Sequence, residues 1–234
     1  MHSLSHKSHW LWLLVAGLLM AALSLTWQAR AQTSPSALIL NIEGAIGPAT
    51  KDYFERGLRK AREQGSEVVI VELDTPGGLV DTTRDMIREM LNSDLPVVMY
   101  VSPSGARAAS AGTYLLYGSH VAAMAPSTHL GSATPVQMGG GGLTGGDEAG
   151  EGSEGEQDGS AMERKVIEDA VSFIRSLAER HGRNADWAEE AVRDAVNLTE
   201  SDALEQNVID VVARDMNDLL AQLDGMTVVM ERGE

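Results

Sequence analysis

Ser110 stands in the segment Gly105-Ala106-Arg107-Ala108-Ala109-Ser110-Ala111-Gly112, just after an apolar run and where a helix should begin. A serine at a helix N-terminus lies beside backbone N–H groups with no partner inside the helix, here including that of Ala111. Such donors can hold an oxyanion. The small neighbours let a peptide backbone come close. The same placement also suits a simple helix cap. The common Gly-x-Ser-x-Gly elbow is absent, because Ala108 stands where its first glycine would be. A second turn, Asp74-Thr75-Pro76-Gly77-Gly78, follows another apolar run. Glycines there can aim an N–H into a site, or they can do no more than close a tight strand-to-helix turn.

A serine nucleophile needs a base. After Ala31 the chain has three histidines, His120, His129 and His181. His120 and His129 fall close behind the serine segment, so a Ser-His pair is one reading. His181 reads as a helix C-terminal residue, where a cation is favoured. Lysine is the other reading. Only Lys51, Lys60 and Lys165 occur after Ala31, against thirteen arginines, and arginine stays protonated. Lys51 and Lys60 sit among charged residues on one helix. Lys165 lies near the start of a strongly amphipathic helix, on the flank of its apolar face. There the helix dipole and burial both favour the neutral amine. Glu168 and Asp169, three and four residues on, act the other way, and a surface Lys–Asp pair is the plain alternative.

These residues need a scaffold. β-rich apolar runs occur at 37–42, 67–73, 96–101, 120–124 and 208–212. Helical spacing of apolar residues occurs at 48–65, 79–91, 106–117, 161–180, 187–195 and 216–223, with Thr199 as cap of a short helix running into Leu204. Strands alternating with helices predict an α/β domain with a mostly parallel sheet. In such sheets chemistry collects in the loops at the carboxyl ends of the strands. Both unusual turns lie there.

Composition narrows the field. The 234 residues carry a formal net charge of −16 and no cysteine. That excludes disulfides, cysteine metal sites and a cysteine nucleophile. The acidic balance speaks against nucleic acid as a partner. Residues 1–31 contain no Asp or Glu; an apolar run from Trp10 to Leu25 precedes Ala29-Arg30-Ala31. This predicts a signal peptide cleaved after Ala31, or an uncleaved anchor, with the rest exported to the periplasmic or extracellular face. Residues 139–160 hold ten glycines and six acidic residues, which predicts a flexible loop. Its acids lack EF-hand spacing. Residues 226–234 read as the start of a linker or of a truncated C-terminal region.

Several stretches, taken in order, carry a resemblance. They are Glu72-Leu73-Asp74-Thr75-Pro76-Gly77-Gly78-Leu79, Ala108-Ala109-Ser110-Ala111-Gly112-Thr113-Tyr114, Gly131-Ser132-Ala133-Thr134-Pro135-Val136 and Phe173-Ile174-Arg175-Ser176-Leu177-Ala178-Glu179-Arg180-His181-Gly182-Arg183-Asn184. From 37 to 223 the chain resembles the soluble protease domain of the NfeD family, membrane-associated serine proteases with the ClpP/crotonase fold of repeated β-β-α units. The resemblance implies a protease domain over 32–225 and a Ser-Lys dyad of Ser110 and Lys165. It implies oxyanion donors at the backbone of Gly77 or Gly78 and of Ala111, with no cofactor and no metal. It also implies hydrophobic segments of membrane-associated, stomatin-like proteins as substrates, and a homodimer. Related ClpP proteases use a histidine after the serine. Residues 131–135 contain none, and His129 falls short of that place. The acidic glycine tract is longer than the usual loop between the dyad residues. The membrane spans and OB-fold domain that follow in long NfeD proteins are not in the sequence. Two rival readings are a signal-peptide-peptidase-like protease and a catalytically silent membrane-assembly scaffold. Export disfavours a third, an acyl-CoA enzyme of the crotonase kind.

Overall fold

In the computed structural model the described residues are 36–136 and 155–230, the first six of the second stretch as backbone only. The expected signal segment, most of the glycine tract and the last four residues lie outside them. Along the chain the elements run β1 (Ala37–Glu43), α1 (Pro48–Gln64), β2 (Val68–Asp74), α2 (Val80–Leu91), β3 (Val97–Val101), β4 (Arg107–Ala109), α3 (Ala111–Gly118), β5 (Val121–Met124), β6 (His129–Gly131), α4 (Gly155–Arg180), α5 (Ala185–Arg193), β7 (Asn197–Thr199), α6 (Glu200–Glu205), β8 (Val211–Val212) and α7 (Met216–Leu223).

The apolar runs form one parallel sheet in the order β1-β2-β3-β5-β8. Every residue of β3 is buried, as a central strand covered on both faces requires. Side chains alternate across the sheet. Val69, Val71, Leu73, Met99 and Val101 pack with Met86, Met90 and Leu115 on one face, while Ile70, Val98, Tyr100 and Ala123 pack with Leu219 on the other. Helix starts follow capping chemistry. Pro48 opens α1, and Asn184, Thr199 and Asp215 accept from backbone N–H groups at the heads of α5, α6 and α7.

A second sheet has the order β4-β6-β7. It corrects the helix expected over 106–117. Arg107–Ala109 is a strand, and the helix starts only after Ser110. The reason is non-local. β4 pairs in parallel with β6 on one edge, and on the other edge Thr75 N donates to Arg107 O (2.8 Å) and Ala109 N to Thr75 O (3.0 Å). Those bonds satisfy the backbone that a local helix would otherwise have to satisfy. Two main-sheet strands are each followed by a short second-layer strand and then by a helix: β3-β4-α3 and β5-β6-α4. This is the β-β-α repeat. A second correction concerns the acidic tract: α4 begins at Gly155, so residues 155–160 are helical.

The far end of the sheet is closed by charge and imidazole. Arg183 is buried, and one guanidinium nitrogen reaches the carbonyls of Leu116, Tyr117 and Ser119 at 2.9, 3.1 and 3.0 Å while another pairs with Asp210 at 2.6 Å. His120 and His181 meet edge to face beside it, 6.0 Å between ring centres. His181 therefore does not serve as a helix-terminal cation. Burial, with Arg183 and His120 nearby, pushes it down to about 3, and burial with Arg180 and Arg183 pushes His120 down to about 4. Both rings are neutral in the fold but ionise near pH 6.5 in an unfolded chain. Their contribution to stability is complete above about pH 6.5 and is lost as pH falls toward the folded values. Urea midpoints should accordingly drop between pH 7 and pH 5, and the drop should be smaller in His181→Leu.

Candidate functional site

Ser110 sits between the second sheet and α3, at φ 51° and ψ −112°. A serine at positive φ is strained, and such a residue persists only where its surroundings overdetermine it. Here they do. Ser110 N donates to Gly131 O (2.9 Å), and Ser110 O accepts from Thr113 N (3.0 Å). The buried Thr113 hydroxyl lies 2.9 Å from the carbonyls of both Ala108 and Gly131 and accepts from Gly131 N–H at 3.1 Å. β4, β6 and the first turn of α3 are thus pinned around one residue. Ser110 Oγ itself has no hydrogen-bond partner among the described residues.

The Asp74–Gly78 turn lies alongside. Gly77 N–H donates to the buried Thr75 hydroxyl at 3.1 Å, and Gly77 O accepts from Ile46 N at 2.9 Å. The Gly77 donor is therefore already in use. The N–H groups of Gly78 and Ala111 have no acceptor among the described residues, and both residues line one cavity with Ser110. Gly77 serves the site by lacking a side chain. Its φ is +126°, and a Cβ there would lie 2.8 Å from Ser110 Cβ. A Cβ on Gly78 would lie 2.1 Å from Ile46 O.

The cavity, of about 80 Å³, is mostly apolar. Val80 and Thr83 come from α2, Tyr114 from α3, Ala133 and Pro135 from the chain after β6, and Val166, Ala170 and Phe173 from α4. Tyr114 stacks on Phe173 with centroids 6.1 Å apart, and its hydroxyl donates to Ala133 O at 3.0 Å. Arg84 lies 4.2 Å over the Phe173 ring and pairs with Asp169.

Lys165 is on α4, immediately before the cavity residue Val166, but its side chain is exposed and not joined to Ser110. Among the described residues it makes no hydrogen bond or ion pair. Both reasons for expecting a neutral amine need correction. α4 begins ten residues upstream, so Lys165 is beyond the first turn where the dipole acts, and it is not buried. The expected opposing contacts are also absent. Glu168 is held by Arg193 in two bonds of 2.8 Å, and Asp169 by Arg84. The histidines lie elsewhere. His120 Nδ1 accepts from Val97 N at the amino end of the sheet, opposite Ser110, and His129 is exposed at the start of β6. Lys51 is tied to Asp85 and Glu55, and Lys60 is exposed on α1. Sequence reasoning missed the roles of Thr75, Thr113, Tyr114 and Arg84. Thr75 and Thr113 stand inside the motifs quoted above, but only tertiary contacts show what their hydroxyls hold.

The family described as "NfeD1b, N-terminal domain" matches residues 37–222. The membrane-bound protease PH1510 of Pyrococcus horikoshii is 40% identical over 190 residues, which is 80% of this chain and 40% of that protein. The chain thus spans well under half of that relative's length. Two solved structures named as the 1510-N membrane-bound stomatin-specific protease are similar at 37% identity. One, a serine-to-alanine mutant, has a TM-score of 0.73 and covers 84% of this chain and 88% of that one. The other, a lysine-to-alanine mutant in complex with a substrate peptide, has a TM-score of 0.71 and covers 84% and 83%.

Thr75→Val keeps the volume but removes the group that Gly77 N–H bonds. A buried donor left without a partner costs about 1–3 kcal/mol. The urea midpoint should fall accordingly, and amide exchange at Gly77 should accelerate.

Proposed function

The chain belongs to the NfeD1b N-terminal domain family, and we propose on that footing that it is a serine endopeptidase in which Ser110 is the nucleophile and Lys165 the base. The observation that carries this reading is the unbonded Ser110 Oγ, placed beside two free N–H groups and opening on an apolar cavity. The solved relatives support it, since they include a serine mutant and a lysine mutant of a protease, the latter with a substrate peptide.

The chemistry then runs as follows. The Lys165 amine takes the proton from Ser110 Oγ, which bonds to the carbonyl carbon of the scissile peptide. The oxyanion accepts from Gly78 N–H and Ala111 N–H, rather than from Gly77 N–H, which Thr75 occupies. Collapse breaks the C–N bond, and the leaving amine takes the proton from the Lys165 ammonium. Water then gives a proton to Lys165 as its oxygen bonds to the acyl carbon, the ester C–O bond breaks, and Ser110 Oγ takes the proton back from the Lys165 ammonium. Lys165 comes to Ser110 in the substrate complex: a peptide lying over the cavity removes the amine from water and favours its neutral form. Such bonds often tighten only with substrate bound.

The apolar wall suits hydrophobic substrate segments, and the named relatives point to stomatin-like, membrane-associated proteins as their source. The relative is membrane-bound by name, and among the described residues no helix is long and apolar enough to cross a membrane. Export and a homodimer are carried by the sequence reading alone. A silent scaffold is the second reading, and the exposed Lys165 is the observation on its side.

Fluorophosphonate labelling and cleavage of a hydrophobic peptide decide between them. Ser110→Ala should abolish both. Lys165→Ala should lower cleavage roughly 10²–10⁴-fold, the usual contribution of a general base. Labelling and cleavage untouched by Lys165→Ala would remove the dyad. A stomatin-like partner bound and left intact by the wild type would favour the scaffold.

A further inference from the structure

Residues 165, 168 and 169 share one face of α4, because positions three and four apart are neighbours on a helix. Glu168 and Asp169 are therefore the carboxylates that α4 itself places within reach of the Lys165 ammonium. Neither takes it. Asp169 is drawn to Arg84 of α2, and Glu168 to Arg193 of α5, which also holds Glu189 at 2.6 Å. The Asp169 side chain is 69% exposed and that of Glu168 62%. Ion pairs this open add little to stability. Their consequence is where they hold the carboxylates.

Arg84 is fixed for that task. Its guanidinium lies on the Phe173 ring, one turn beyond Asp169, and lines the cavity with Ser110. Besides these carboxylates, α4 brings Glu163 and Arg164 to the same stretch. The packed helices bring Arg84 from α2, Tyr114 from α3, and Glu189 and Arg193 from α5. Burial of Tyr114 raises its ionisation above the usual range, so it stays neutral.

We propose that Arg84 and Arg193 are positioning residues that withhold Asp169 and Glu168 from Lys165, leaving its amine free to approach Ser110 and to lose its proton. This rests on the Ser-Lys reading above. Without Arg84, Asp169 becomes the partner of Lys165, holding it charged and on the outer face of α4.

The test is the pH profile of kcat/KM for cleavage of a hydrophobic peptide. Arg84→Gln should move the acid limb upward by roughly half a pH unit, so activity near neutrality falls about threefold. Adding Asp169→Asn should return the limb to its wild-type position, and Arg84→Lys should keep it there. The independent pair Arg193→Gln and Arg193→Gln/Glu168→Gln should behave alike, which keeps the question open to test if Arg84→Gln fails to fold. A uniform loss at every pH that Asp169→Asn does not rescue would mean that Arg84 only supports the fold, and would overturn the proposal. If Lys165→Ala cleaves like the wild type, the dyad and this proposal both fall. If Lys165 is required but no limb moves, only this proposal falls.

Discussion

The site depends on the double pairing of β4. An arginine and two alanines have no strong strand preference, yet Arg107–Ala109 is extended because Thr75 bonds one edge and β6 the other. That pairing forces the chain to turn sharply at Ser110, since a helix must start within one residue of a strand. The strained φ of Ser110 is the cost of the turn. The hydroxyl of Thr113 and the carbonyl of Gly131 hold it there. The same pairing sets the Thr75–Gly78 turn beside the serine, because Thr75 is both the β4 partner and the residue that fixes Gly77. The proposed nucleophile and oxyanion donors are thus positioned by one set of bonds. A change in that register would displace them together.

The cavity is a consequence of the repeat. α3 packs on β5 of the main sheet and against α2, α4 packs on α3, and side chains of all three helices line the cavity. Gly112 lets α3 approach Thr75, with a hypothetical Cβ only 2.7 Å from its methyl group. The aromatic stack of Tyr114 on Phe173 then spaces α4 from α3. The space left between them is apolar because these are core-facing positions of helices that part just short of closing.

Much of this was legible in the sequence where one local pattern decides the outcome. Continuous apolar runs gave β2 and β3, and periodic apolar residues gave α1, α2 and most of α4. The Ser110 and Gly77-Gly78 segments stood out through their small residues. What could not be read was set by distant partners. The extended state of Arg107–Ala109 depends on residues 129–131, and β7 depends on β6. The helical start at Gly155 contradicts a composition that favours loop. His181 reads as a helix-end cation until its neighbours are known to be Arg183 and another buried imidazole. The same limit hid the choice between the two glycines as proposed oxyanion donors. Gly77 and Gly78 are equivalent as residue types, and only the Thr75 hydroxyl distinguishes their N–H groups.

The division between arginine and lysine follows from the same physics. Arginine stays charged in any surroundings and can bond several acceptors at once. It fastens several elements among the described residues: Arg183 across three carbonyls and Asp210, Arg193 across Glu168 and Glu189, and Arg175 across Asp186 and Glu189. A lysine in such a place would be tied down and kept protonated, as Lys51 is by Asp85. Lys165 is left with no fixed partner among the described residues, next to the cavity residue Val166 and three residues from Glu168, which Arg193 holds. In the structure that side chain is exposed. In the proposed mechanism the substrate completes its surroundings, because an apolar peptide over the cavity would supply the desolvation that the helix alone does not.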